Sequence, residues 1–142
     1  EAAIRLSECA NLNLPVNAYS YEIQENEQTL RFNFSQMLLQ IVDDLKHERD
    51  VNEISTAFHE TIVQALVDGM NRLHTRFPET NKKVVLSGGS FHNRYIKQRL
   101  MDCLSVAGFE VFTHKRIPCN DGGLSYGQLM VAAAKREEVT CV

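Results

Sequence analysis

The chain has 142 residues, 44% of them hydrophobic and 23% charged, with a formal net charge of -3. That is enough apolar material for one buried core in a single domain. No run of Lys and Arg provides an electrostatic footprint for sequence-independent nucleic-acid binding, and no apolar stretch approaches the roughly 20 residues needed to cross a bilayer.

The N-terminal residues Glu1-Ala2-Ala3-Ile4-Arg5-Leu6 read as the inside of a helix, with neither a basic-then-apolar leader nor an initiator Met. The expectation is a piece excised from a longer polypeptide. A helix tail over about residues 2–10 is ended by Asn11, Asn13 and Pro15. An extended piece from Ala18 to Ile23 precedes a polar turn at Gln24 to Gln28, and Leu30 to Phe32 reads as its partner strand. Phe34, Met37, Leu38, Ile41, Val42 and Leu45 recur at three- and four-residue steps, the apolar stripe of a packed amphipathic helix. Asp50 starts another helix, with Glu53 three residues on as in a capping box. Its expected core face is Ile54, Phe58, Ile62, Leu66, Met70 and Leu73, and Pro78 closes it.

The second half alternates more regularly. Lys83-Val84-Val85-Leu86-Ser87 reads as a buried strand. Ile96, Leu100, Leu104 and Ala107 form one helix face with Gly108 as its stop. Phe109 to Thr113 returns as a strand, and a turn at Asn120 to Gly123 leads into a last helix through Leu124, Gln128, Val131 and Ala132. The tail from Lys135 to Val142 is expected to fray. Strand–helix–strand–helix at this spacing predicts an α/β layer with both glycine turns at one edge of the sheet. The four cysteines, Cys9, Cys103, Cys119 and Cys141, form no close pair. They read as free thiols of a reducing cytoplasm, Cys103 as a small core hydrophobe.

Chemistry concentrates in two stretches, Leu86-Ser87-Gly88-Gly89-Ser90-Phe91-His92-Asn93 and Pro118-Cys119-Asn120-Asp121-Gly122-Gly123. Each lies where an extended segment gives way to a helical pattern. Paired glycines there let a ligand reach the backbone, and the following helix offers free N–H groups to an anion. Neither stretch is a P-loop or a dinucleotide fingerprint, since both need a longer glycine spacing. Gly88-Gly89 also suits a plain strand exit, and Asp121 a turn or helix cap. Beside two glycines, however, the Asp121 carboxylate is uncrowded. A hard cation that also binds ligand phosphates needs only one or two such groups.

Among the histidines, His59-Glu60 lacks a second His four residues on, where Val63 stands, so a zincin site is excluded. His59, next to Phe58, reads as a hydrogen-bonded structural residue. His92, inside the first glycine stretch, is placed to contact a phosphate or a base, whereas His47, His74 and His114 read as surface residues near element ends. No Ser-His-Asp or Cys-His arrangement can be assigned from spacing.

Together with Ala107-Gly108-Phe109-Glu110-Val111, Leu124-Ser125-Tyr126-Gly127-Gln128 and Ala57-Phe58-His59-Glu60-Thr61, these stretches resemble the C-terminal end of the HypF-type carbamoyltransferases that mature nickel–iron hydrogenases. The resemblance covers nearly the whole chain, and residues 1–142 are read as one lobe. Ser90 stands where Val or Cys is more usual, and His92 where Gln is. The resemblance implies the C-terminal lobe of an actin-like, ribonuclease H-like α/β fold, in the Kae1-like domain that performs carbamoyl transfer. It implies ATP or carbamoyl-adenylate as bound nucleotide, a divalent metal, zinc elsewhere in the full-length family, and a HypE-type maturation protein as partner. Gly88, Gly89 and Asn93 would face the nucleotide. Asp121 would approach the metal, and Asn120 and Gly122 would shape the loop. Without the upstream lobe the piece is expected to be inactive and to expose an apolar face open to self-association. Two other readings stand beside this one: a threonylcarbamoyl- or O-carbamoyltransferase lobe, and a non-catalytic lobe that only docks the partner.

Overall fold

A computed structural model describes residues 2–27, 29–118 and 120–139; Cys119 and Cys141 lie outside this set. Helix α1 (Ala2–Cys9) leads through an irregular segment to an antiparallel hairpin, β1 (Glu22–Glu25) with β2 (Leu30–Asn33). Helices α2 (Ser35–Lys46) and α3 (Val51–Arg76) follow, then β3 (Lys83–Leu86), α4 (Arg94–Val106), β4 (Glu110–Thr113) and α5 (Leu124–Val139). The Lys135–Val139 part of the tail is thus helical rather than frayed. The architecture is α/β, as expected.

The first strand begins later than the Ala18 start that the sequence suggests, for a local reason. The Tyr19 N–H donates to Thr61 Oγ1 (2.8 Å) and the Ser20 N–H to Gln40 Oε1 (2.7 Å), so side chains take the bonds a ladder would use. Only from Glu22 does the backbone pair with β2. The tip of the Phe32 ring rests where a Cβ on Gly69 would stand, which seats the hairpin on α3.

Helix α2 buries less than its stripe implies. Met37 is buried and Phe34 and Ile41 are half-buried, but Leu38, Val42 and Leu45 are exposed, because α3 and the irregular segment cover only one edge.

Helix α3 departs most from expectation. Its buried residues include Ser55, Thr56, Ala57, His59, Glu60, Thr61 and Val63, whereas Leu66 and Leu73 of the expected stripe are exposed. Hydroxyls explain this polar face. Ser55 Oγ donates to the Leu6 carbonyl, Thr56 Oγ1 accepts from the Asn11 N–H at 3.0 Å, and Thr61 Oγ1 accepts from Tyr19 as above. The first satisfies a carbonyl in the last half of α1, and the other two satisfy N–H groups of the irregular segment, which has no ladder of its own. The helix starts at Asp50, whose carboxylate accepts from the Asn52 N–H at 2.8 Å. The reciprocal half of the capping box is absent: Glu53 instead receives Arg49 Nε at 2.9 Å.

Strands β3 and β4 pair in parallel, with Leu86 opposite Thr113. Val84 and Leu86 enter the main core with Val63, Leu100, Leu104 and Phe109, and half-buried Cys103 packs against it. Val85, expected inside, is 68% exposed, because helices cover only one face of the pair. Helix α4 stops as read, with Gly108 at φ +85°.

A half-buried ion pair joins α3 to α4. Arg99 Nη2 and Nε reach the two Glu60 oxygens at 2.8 and 3.0 Å, Tyr95 donates its hydroxyl at 3.0 Å, and Gln64 adds a bond at 3.3 Å. Burial pushes the Glu60 carboxyl up, but these donors outweigh it and hold it below the ordinary value. Next to it His59 lies between the rings of Phe58 and Tyr95, its Nδ1 2.7 Å from the Ser55 carbonyl. Burial lowers its pKa, as befits the structural histidine expected.

Candidate functional site

Parallel pairing brings the two glycine junctions together. Because Leu86 faces Thr113, the chain leaves both strands on the same side, and the next residues, Ser87 and His114, meet with Nε2 2.9 Å from Oγ. Beyond them Gly88, Gly89, Asn120, Asp121 and Gly123 line one cavity of about 910 Å³, walled by Leu124, Tyr126, Gln128 and Val131 of α5. The volume lies within the range of ligand pockets.

The two adjacent glycines serve different ends. Gly88 sits at φ +107° and ψ 164°, a backbone region essentially closed to side chains, although a Cβ there would meet nothing within 4 Å. Gly89 has no such φ, and its Cβ would also meet nothing. A side chain there would stand in the cavity itself, so its absence leaves the backbone open to a ligand.

In the second junction, Asn120 Oδ1 accepts from the Gly122 N–H at 3.1 Å and the Asn120 carbonyl from the Gly123 N–H at 2.9 Å. Asn120 therefore folds its own loop, as an Asx turn does. A Cβ on Gly123 would approach the Pro118 carbonyl oxygen to 2.8 Å, so that glycine is required for closure of the turn. Asp121 is exposed at the cavity, and its carboxylate has no hydrogen bond or ion pair to any described residue.

Not every candidate converges here. A 3-10 turn, Gly89–His92, intervenes between β3 and α4, so the α4 N-terminus is carried away from the cavity. There it is capped by Asn93, whose Oδ1 accepts from the Ile96 N–H at 3.1 Å. Asn93 and His92 line a different, polar recess of about 950 Å³ beside Ser7–Leu14 and the start of α3. Ser87 and the inner face of α5, which lie in stretches named from the sequence but carry no site role there, and His114, read as a surface residue, are site residues here. Ser87 and His114 were accessible from strand register alone, but the register was not.

A metal would find one carboxylate. No group of three or more His, Cys, Asp or Glu converges among the described residues. Asp121 by itself suits one position on a cation whose remaining ligands are phosphate oxygens, and does not make a standing metal site.

A family profile described as carbamoyltransferase, Kae1-like domain, second subdomain matches residues 1–128. The carbamoyltransferase HypF of Synechocystis sp. is 26% identical over 139 residues, 98% of this chain and 17% of that protein. The carbamoyltransferase HypF of Rhodobacter capsulatus is 36% identical over 86 residues, 61% of this chain and 11% of that protein. A crystal structure of full-length HypF in the phosphate- and nucleotide-bound form superimposes with a TM-score of 0.81 at 37% identity, over 92% of this chain and 17% of that one. The chain thus spans less than a fifth of the length of these relatives. It belongs to the HypF carbamoyltransferase family, as the second subdomain of the Kae1-like domain.

Proposed function

We propose that the glycine-junction cavity holds a nucleotide, ATP or carbamoyl-adenylate, as part of a carbamoyltransferase. The observation that carries this reading is the meeting of two strand-exit glycine turns in one cavity whose lining Gly89 leaves bare. Residues 1–142 are read as the C-terminal lobe of an actin-like fold within a longer protein. That protein would use carbamoyl phosphate and ATP to form carbamoyl-adenylate. It would then pass the carbamoyl group to the C-terminal cysteine of a HypE-type partner in nickel–iron hydrogenase maturation. In that step the cysteine sulfur bonds to the carbamoyl carbon, and the bond from that carbon to the adenylate oxygen breaks. The proposed compartment is the cytoplasm; no described helix is long and apolar enough to cross a membrane.

Each residue has a part in this reading. Gly88 turns the chain out of β3, and Gly89 admits the ligand to the backbone. Asn120 and Gly122 shape the opposite loop. Asp121 is the one carboxylate offered to a divalent cation carried on the phosphates. Asn93 acts at one remove, by holding the start of α4. Exposed apolar residues such as Val85, Phe112 and Leu129 are where the rest of the protein would pack, and by which the separate chain would self-associate.

Calorimetric titration of ATP with magnesium into the chain tests this, beside Gly89→Val and Asp121→Ala variants checked for folding by circular dichroism. Weak binding is expected, abolished in Gly89→Val and reduced in Asp121→Ala. Binding that is unchanged in Gly89→Val overturns the placement. A second expectation is that the chain alone, given carbamoyl phosphate, ATP and a cysteine-terminated partner peptide, yields no carbamoylated product by mass spectrometry. Turnover would show that the upstream lobe is dispensable.

A further inference from the structure

A smaller recess of about 290 Å³ adjoins the glycine cavity and shares His114, Ile117 and Pro118 with it. Its polar lining is basic: His92 from the 3-10 turn, Lys97 from α4, and His114, Lys115 and Arg116 from the loop after β4. Among the described residues no carboxylate lines it. Elsewhere Arg49, Arg72, Arg76, Lys83 and Arg99 each have an Asp or Glu partner. By contrast, the side chains of His92, Lys97, Lys115 and Arg116 have no hydrogen bond or ion pair to any described residue. Three full cations from two elements thus converge without a counter-charge among the described residues, in a chain whose net charge is -3. Like charges gathered this way repel, and an entering anion relieves that repulsion.

We propose that this recess is a phosphate subsite. Its volume is at the lower limit of ligand pockets, roughly 300–1,000 Å³, which suits phosphate groups rather than a whole nucleotide. A guanidinium and two ammonium groups supply the charge-assisted donors that phosphate oxygens take. The subsite deepens the nucleotide reading, on which it rests for one of its two sources: the polyphosphate of a nucleotide seated in the adjoining cavity. The other source is a free phosphate or pyrophosphate anion. His114, in the shared wall and held by Ser87, then lies where the two parts of one ligand would join.

The test uses inorganic pyrophosphate, ATP and adenosine, each titrated calorimetrically at low salt. The proteins are the unaltered chain, a Lys97→Gln/Lys115→Gln/Arg116→Gln variant and Gly89→Val. Neutralising exposed or half-exposed cations spares the core, and circular dichroism checks this. Pyrophosphate is expected to bind at least about tenfold more weakly to the triple variant, the scale of losing one or more charge-assisted bonds. Adenosine is expected to be unaffected. Parallel loss of ATP affinity assigns the subsite to nucleotide phosphates, and loss of pyrophosphate alone assigns it to the free anion. Pyrophosphate that binds the triple variant unchanged, or does not bind the unaltered chain, overturns the proposal. If ATP ignores Gly89→Val while pyrophosphate still responds to the triple variant, the nucleotide reading fails and the phosphate subsite stands.

Discussion

Gly88 and Gly89 are neighbours that the sequence treats alike and the backbone does not. Gly88→Ala keeps its space but not its φ, and is expected to cost about 1–2 kcal/mol of stability. Gly89→Ala is expected to stay within about 0.5 kcal/mol and to weaken ligand binding instead. Urea denaturation of the two variants separates a structural from a functional glycine. The Glu60–Arg99 pair makes a second residue-level prediction. Glu60 is 7% exposed and Arg99 35%, so Arg99→Met is expected to cost about 2 kcal/mol at neutral pH, less than for a wholly enclosed pair. The carboxyl is held below its ordinary 4.5, so the folded chain binds its proton less readily than the unfolded one. Its stabilisation is therefore complete above that pH and lost as pH falls through the lowered value. In Arg99→Met burial is no longer opposed by the arginine, so the folded-state pKa rises and this acid-side loss should shrink or reverse. Denaturation midpoints measured from pH 7 to pH 4 would show it.

At the scale of elements, α3 is the helix whose pattern misleads. An apolar stripe at three- and four-residue steps predicts the buried face where the partner is another apolar surface. Here the partner over the N-terminal half is the end of α1 and an irregular segment, whose Leu6 C=O and Asn11 and Tyr19 N–H groups need bonds, and hydroxyls supply them. Thr61→Val preserves shape and removes the acceptor for Tyr19. It is expected to cost about 1–3 kcal/mol and to speed amide exchange at Tyr19, while β3, β4 and α4 keep their protection. Exchange that rises evenly over the whole chain would refute a clasp confined to that segment. His59 lies on the same face. Its pKa is lowered by burial, so unfolding takes up a proton, and stability should begin to fall as pH drops through the ordinary 6.5. Replacing it with Gln should flatten that limb of the pH profile.

At the scale of the molecule, two clusters carry the packing. One is Val63, Val84, Leu86, Leu100, Leu104 and Phe109, and the other is built on Tyr19, Met37 and Ala57. Leu104 is fully enclosed, and Leu104→Ala is expected to cost about 2–5 kcal/mol by thermal or chemical denaturation. The described parallel pair has helices on one face only, whereas parallel sheets are ordinarily covered on both. That single fact accounts for exposed Val85 and Phe112, which hydropathy alone would place inside.

The sequence by itself determined the element order, the stops at Pro78 and Gly108, and the two loops that matter. Those features depend on local chemistry: backbone freedom at glycine, fixed φ at proline, short-range periodicity. It also placed Asp121 beside the pair of glycines that leaves it uncrowded. Only the tertiary structure decided which candidates share a cavity. Strand register joined Gly88 and Gly89 to Asn120 and Asp121 and set His114 on Ser87, while one 3-10 turn sent Asn93 to cap a helix. It alone gathered Lys97 and Arg116 into one recess. Such meetings depend on pairing between distant segments, whose geometry no local pattern encodes.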